Sequence, residues 1–302
     1  MNSAARPVGP LVPEPWRRRI AGLPAEGGPT GEVWVGRLPR LVSECLDQWQ
    51  LAVSGPAMTG YCALVLPVVR EDGQPAALKV GWPHEESAAE HLALQHWGGR
   101  GTVRLLAADP ARGALLLEWL DASRDLMTED AFTACEIIGG LLRRLHVPAP
   151  PTIPLLRDWL PQHLDRLDHP AVPRRFAQRT RSLAADLLQD DPRLLLHTDL
   201  HFENVLAGER EPWLVIDPKP FAGHPGFEFQ PLLRNRIDEL GTGSAFRWSV
   251  RRRLEIAAEA AGVDVEEARL WTLLYTGIEI LWTRDDPEMA SVQVALFKAL
   301  ED

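Results

Sequence analysis

The sequence predicts an α+β chain of two lobes, a small antiparallel-sheet lobe with one key helix followed by a larger, mainly helical lobe. Three observations carry this. Short apolar segments broken by Gly, Pro and Asp crowd residues 49–119 and read as strand, strand, strand, helix, strand, strand. Apolar residues at helical spacing dominate from Thr128 onward. The chain has 302 residues, room enough for two cores, and no repeat or low-complexity block interrupts it. The expected lobes are residues 1–119 and 120–302.

The first residues carry Pro7, Pro10, Pro13 and Pro15 without an apolar signal core, and read as a loose leader. Tyr61 to Val69 is strand-like, with Gly73-Gln74 turning into Pro75 to Val80. Gly81-Trp82-Pro83 ends that strand, and Pro83 suits the first turn of a helix from about His84 to Trp97, stopped by Gly98-Gly99. Val103 to Ala107 and Ala114 to Trp119 are two further strands around Asp109-Pro110. Phe132, Cys135, Ile138, Leu142 and Leu145 then mark a helix from Thr128, its expected cap, to His146. A proline-rich loop from Val147 to Pro154 separates it from helices at 155–167 and 173–188. Helices at 246–261, 265–282 and 287–300 close the chain.

Apolar content of 45% and charged content of 25% fit a soluble globular enzyme. No apolar run spans a bilayer; Ala63 to Val69 is short and holds Pro67. Cys45, Cys62 and Cys135 are scattered, with neither metal nor disulfide spacing, which points to a reducing cytoplasm. The net charge of −10 argues against a nucleic-acid partner. It suits a small cationic substrate, or simply solubility. Of 32 basic residues only Lys79, Lys219 and Lys298 are lysine, so a lysine can mark a place where a compact ammonium is needed.

The most telling stretch is His197-Thr198-Asp199-Leu200-His201-Phe202-Glu203-Asn204, with Asp217 thirteen residues further on, at the end of Leu214-Val215-Ile216. Val205-Leu206 and Trp213 to Ile216 are apolar runs around the turn 207–212, and an antiparallel hairpin there brings Asn204 and Asp217 to one open end. Asp199 can accept a proton from an attacking hydroxyl, and the Asn204 and Asp217 oxygens can hold magnesium on a nucleotide. Phosphoryl transfer asks for positioning and charge neutralisation above all, and this set supplies both. An ordinary hairpin with polar ends is the plainer alternative.

Lys79 lies in the apolar strand Ala76 to Val80. A buried ammonium needs anions around it, and nucleotide phosphates with Glu90 of the next helix meet that need; Glu86 is the competing partner, and an edge-strand lysine reaching solvent the alternative. Ser54 to Gly60 is a loop able to drape backbone donors over phosphates, or an ordinary hairpin loop. Backbone groups of Leu116 to Leu120, with Glu118 and Leu120 as the candidates, are natural partners for an adenine edge.

On Leu196 to Leu206, Arg210 to Lys219, Ala76 to Val80, Val103 to Leu106, Leu145 to Pro148 and Pro231 to Asn235, the chain resembles the aminoglycoside phosphotransferase family, in its streptomycin 6-phosphotransferase and hydroxyurea phosphotransferase branch. The resemblance covers nearly everything after residue 30 and implies a protein-kinase-like fold, with a nucleotide-binding N-terminal lobe and a catalytic, substrate-binding C-terminal lobe. It implies ATP and Mg2+ as cofactors, Asp199 as the catalytic carboxylate, Asn204 and Asp217 as metal ligands, and Lys79 on the phosphates, paired with Glu90. It implies a kinase that phosphorylates a hydroxyl of a small cationic aminoglycoside, streptomycin first; hydroxyurea or another metabolite, or mere nucleotide or drug binding, are the alternatives, and a monomer is expected. His197 is expected to brace the loop. Thr198 stands where many relatives have glycine, and His224 and Glu228 where aspartates are usual; these departures bear on the acceptor side. Glu228, Glu279, Asp285 and Asp286 are the candidate acceptor carboxylates, each with a solvated surface charge as the alternative.

Overall fold

The structure, a computed structural model, describes residues 12–190 and 192–301. Pro7 and Pro10 of the expected leader lie outside the described residues. By its internal contacts the chain divides into two compact units. One takes the chain up to Gly99 together with Val103–Leu120; the other takes Arg100–Thr102 and everything from Asp121. The excursion at 100–102 follows from a backbone bond of 2.9 Å from Val215 N–H to Gly101 and a parallel bridge between Thr102 and Val215.

The first unit opens with α1 (Glu14–Ala21), which begins within the expected leader, and α2 (Gly31–Gln48), for which the sequence reading named no element. Pro15 sits in the first turn of α1, where the missing N–H has no partner to lose. Thr30 caps α2 by accepting the Val33 N–H at 3.4 Å, and Trp34, Leu38, Val42 and Cys45 form its buried stripe. β1 (Ala52–Val53), β2 (Met58–Thr59), β3 (Ala63–Val69) and β4 (Pro75–Gly81) follow, then α3 (Glu90–Trp97), β5 (Leu105–Asp109) and β6 (Ala114–Glu118). The strands make one antiparallel sheet in the order β1-β3-β4-β6-β5, with β2 also on β3. Alternation places Leu64, Leu66 and Val68 of β3 and Ala76, Leu78 and Val80 of β4 in one core with Trp16, Ile20 and the α2 stripe. The same alternation turns Lys79 to the opposite face.

α3 is shorter than expected. It starts at Glu90 rather than His84, because the preceding residues form a separate 3-10 turn, Glu85–Ser87. His84 Nδ1 donates to the Trp82 carbonyl at 2.8 Å and Ser87 Oγ to the His84 carbonyl at 3.0 Å, which fixes that turn. Gly98, at φ +58°, ends α3 in the left-handed conformation that glycine adopts cheaply.

The second unit runs β7 (Asp121–Asp125), α4 (Ala131–Leu145), α5 (Leu156–Asp165), α6 (Arg174–Leu187), β8 (Leu194–Leu196), β9 (Val205–Ala207), β10 (Leu214–Val215), β11 (Phe221–Gly223), α7 (Gln230–Leu233), α8 (Gly243–Ala261), α9 (Val265–Trp282) and α10 (Pro287–Glu301). Asp130, not Thr128, caps α4: its carboxylate accepts the Phe132 and Thr133 N–H groups at 3.0 and 3.1 Å, while Thr128 belongs to a preceding 3-10 turn. Two small antiparallel sheets, β10-β9-β7 and β11-β8, interrupt the helices and carry the loops between them. Among the described residues no helix is long and apolar enough to cross a membrane.

Candidate active site

The loop between β8 and β9 begins at His197, which is wholly buried. His197 Nε2 donates to the Ile216 carbonyl at 2.9 Å, and Nδ1 accepts the Asp199 N–H at 3.2 Å. Those two bonds require the neutral Nε2–H tautomer, and burial, which holds the imidazole below its ordinary pKa, acts in the same direction. Glu228, fully buried in the turn Pro225–Glu228, accepts the His197 and Thr198 N–H groups, one on each oxygen, both at 2.7 Å. Tyr275 on α9 donates to the Thr198 carbonyl at 3.3 Å. Thr198 itself lies at φ +58°, and its hydroxyl donates to the Lys219 carbonyl at 2.5 Å. A positive φ is unusual for a β-branched residue, and such backbone gathers at functional loops.

This bed presents Asp199, of which 6% is exposed. Its Oδ1 accepts from Arg234 at 2.5 Å, and its Oδ2 lies 2.7 Å from Lys219 Nζ. Burial alone would raise the carboxyl's pKa; the Lys219 and Arg234 charges outweigh it and hold the group below the ordinary aspartate value. Arg234 is held in turn by Glu279 on α9, at 3.7 Å. Burial disfavours the guanidinium, but Glu279 and Asp199 more than offset this, so its pKa lies above the usual arginine value.

The expected hairpin forms. β9 and β10 pair with Val205 opposite Val215, and Ile216 N–H donates to the Asn204 carbonyl at 2.9 Å, which places Asp217 just past the position opposite Asn204. Asn204 Nδ2 donates to the Asp199 carbonyl at 2.8 Å. A carbonyl cannot donate, so this bond fixes the amide's orientation and leaves Oδ1 as the acceptor available to a cation. Asp217, at φ +57° before Pro218, turns the chain so that Lys219 N–H reaches the His197 carbonyl at 2.9 Å. Asn204 and Asp217 offer oxygens only, and among the described residues no group of three or more His, Cys, Asp or Glu gathers as a metal cage. Such a two-residue oxygen set fits Mg2+, which keeps waters and substrate phosphates as its other ligands. Bound there, the ion would supply charge neutralisation on phosphate oxygens.

In the first unit, Lys79 Nζ donates to both Glu90 oxygens, at 2.7 and 2.8 Å, with 12% and 7% of the two side chains exposed. β4 lies between β3 and β6, which removes the edge-strand alternative. Glu90 opens α3 rather than sitting at its middle. Glu118 ends β6, its carboxylate accepting the Arg104 N–H at 2.8 Å and its own N–H donating to the Arg104 carbonyl at 3.0 Å; Leu120 is buried. In the loop 54–60, Ser54 N–H donates to Pro67 O at 2.9 Å, and Met58–Thr59 pair with β3 as β2.

The acceptor carboxylates fare differently from expectation. Glu228 braces the loop after β8, and Glu279 is buried against Arg234; neither is a solvated charge. Asp286 is exposed and accepts the Glu288 and Met289 N–H groups, each at 3.1 Å, capping α10; Asp285, also exposed, pairs with Arg284 at 3.3 Å. His224 caps the turn that follows it: Nδ1 accepts the Gly226 N–H at 3.0 Å, and the ring stacks on Trp271. The departures at Thr198, His224 and Glu228 therefore belong to the loop's support. The roles of Arg234 and Tyr275 escaped the sequence; a charged residue following the apolar pair Leu232-Leu233 was the available signal for Arg234.

Residues 48–287 match the family described as aminoglycoside/hydroxyurea antibiotic resistance kinase. A hydroxyurea phosphotransferase of Kitasatospora aureofaciens is 44% identical over 91% of this chain and 85% of its own length. A streptomycin 6-kinase of Streptomyces griseus is 40% identical over 91% and 92%. Among solved structures, a choline/ethanolamine kinase family protein of Mesorhizobium loti superposes with a TM-score of 0.59 at 16% identity, covering 87% of this chain and 95% of that one, a likeness of fold alone. The fold is protein-kinase-like, with an antiparallel-sheet unit and a helical unit.

Proposed function

Because this chain belongs to the aminoglycoside/hydroxyurea antibiotic resistance kinase family, we propose that it is a phosphotransferase that moves the γ-phosphate of ATP to a hydroxyl of a small molecule, with streptomycin as the first acceptor to test. The observation that carries this is the buried, doubly paired Asp199 on the loop that also orients the Asn204 amide. In this reading Asp199 orients the acceptor hydroxyl and takes its proton. Asn204 and Asp217 hold Mg2+ on the nucleotide, and Lys79, kept in place by Glu90, takes the phosphates. Backbone groups from Glu118 to Leu120 take the adenine edge. A phosphate added to a polycation lowers its positive charge, which weakens binding to an anionic target.

Incubating the protein with ATP, Mg2+ and streptomycin should add one phosphoryl group to the drug, read by mass spectrometry. Asp199→Ala should lower kcat by about 10³-fold or more. Equal turnover by both proteins would remove Asp199 from the reaction. Hydroxyurea is the second acceptor to test, favoured by the 44% identity to a hydroxyurea phosphotransferase. Phosphorylation of hydroxyurea but not streptomycin would select it.

A further inference from the structure

Lys219 is one of three lysines among 32 basic residues, and the reading above gives it no part in the phosphoryl transfer itself. Its ammonium sits on Oδ2 of Asp199 while Arg234 sits on Oδ1, so both oxygens of the proposed base are covered by cations. An acceptor hydroxyl must reach one of those oxygens within hydrogen-bond distance, about 2.6–3.2 Å. A carboxylate has about four lone-pair sites, so the hydroxyl can dock beside these cations; once it gives up its proton, the carboxylate loses the charge that holds them.

The two cations differ in chemistry. Arg234 has a second anchor in Glu279, whose side chain is only 5% exposed, and its planar fork spans both carboxylates. Lys219 carries its charge on a flexible stem directly beyond the left-handed turn at Asp217, and the two cationic side chains are about equally exposed, 31% for Lys219 and 27% for Arg234. A lysine is also a compact point charge that can follow a moving anion, which a two-point guanidinium cannot.

Resting on the phosphotransfer reading, we propose that Lys219 is a catalytic residue: as the acceptor hydroxyl docks on Oδ2 of Asp199, the Lys219 ammonium passes to the oxygens of the transferring phosphoryl group. Arg234, kept in place by Glu279, remains on Oδ1 as the positioning residue that aims the carboxylate. A lone pair of the acceptor oxygen forms the new O–P bond. The bond from the γ-phosphorus to the β,γ-bridging oxygen breaks, its electron pair leaving with ADP, and the hydroxyl proton goes to Asp199 and from there to water. Negative charge thus leaves the carboxylate as it builds on the phosphoryl oxygens and the leaving group, and Lys219 follows it.

A double-mutant cycle on Asp199→Asn separates the two cations, using whichever acceptor the wild-type protein phosphorylates. Arg234→Met acts through the carboxylate, so its loss in kcat should nearly vanish once Asp199 is asparagine. Lys219→Met should cost about 10²-fold in kcat in both backgrounds. A further loss of less than about tenfold in the Asp199→Asn background overturns the proposal, because Lys219 would then serve the carboxylate alone. A binding readout runs beside it. ADP with aluminium fluoride mimics the transferring phosphoryl group, and transition-state mimics report contacts made there. By calorimetry, Lys219→Met should weaken that complex about tenfold or more while leaving ADP alone unchanged; parallel changes in both, or none, overturn the assignment. If the phosphotransfer reading itself is wrong, the wild-type protein phosphorylates no acceptor and does not prefer the mimic to ADP, an outcome distinct from either. Lys219→Gln carries the same measurements if Lys219→Met does not stay folded.

Discussion

At Thr198 two effects of similar size oppose each other. Holding a β-branched residue at φ +58° costs about 1–2 kcal/mol. The bond from its hydroxyl to the Lys219 carbonyl returns about 0.5–1.5 kcal/mol. Thr198→Gly relieves the backbone, loses the bond and adds about 0.5–1 kcal/mol of unfolded-state entropy. The unfolding free energy from urea titration should therefore stay within about 1 kcal/mol of wild type. Thr198→Val keeps the strain without the bond and should lose about 1 kcal/mol or more. If glycine is as destabilising as valine, the backbone is not strained there. Single residues were legible in the sequence where their type carries the chemistry at short range. Asp199, Asn204 and Asp217 lie within one loop and one hairpin, so spacing alone proposed them. Glu228, Arg234 and Tyr275 do their work across 31, 35 and 77 residues, on His197, Asp199 and Thr198, and no local pattern announces such partners.

Between elements, adjacent glycines on α4 make the sharpest contrast. A Cβ on Gly139 would lie 2.3 Å from the Ala257 carbonyl on α8, so that glycine is what lets the two helices touch. A Cβ on Gly140 would meet nothing within 4 Å. Gly139→Ala should destabilise by about 1–3 kcal/mol through overpacking. Gly140→Ala should stabilise by about 0.5–1 kcal/mol through helix propensity. Thermal unfolding of the two single variants reads both signs, and a shift in the same direction for each would refute the close helix contact. The longer elements were legible because α8, α9 and α10 run for 19, 18 and 15 residues, long enough for a helical stretch to stand out between turn residues. Those that were missed lack such a record. β8, β11 and α7 are three or four residues long, too short for any period to show. α1 and α2 were hidden by prolines: Pro15 stands in a first turn, and Pro39 lies inside α2 where a sequence reading breaks the helix.

For the whole molecule, the pH dependence of stability should be set by buried imidazoles over a window of its own. Burial lowers the pKa of His91, His163, His197 and His201. His163 falls to about 4, first because Trp159 and Trp282 pack around it and then because Arg166 is near; among the described residues neither ring nitrogen has a hydrogen-bond partner. In the unfolded chain each imidazole returns to about 6.5. Between that value and the folded one, the unfolded state binds protons that the native state refuses, so stability falls as pH drops from about 6.5 and rises as pH climbs back. The paired carboxylates, Asp199 among them, act below the ordinary carboxylate range of about 3.9–4.3 and leave the interval above it to histidine. Unfolding free energy measured from pH 4.5 to pH 7 should therefore increase with pH, about in line with several histidines titrating together. His163→Phe keeps a ring between Trp159 and Trp282, removes one of these protons and should flatten the slope. An unchanged slope in that variant would mean that the His163 imidazole is protonated alike in the folded and unfolded chains.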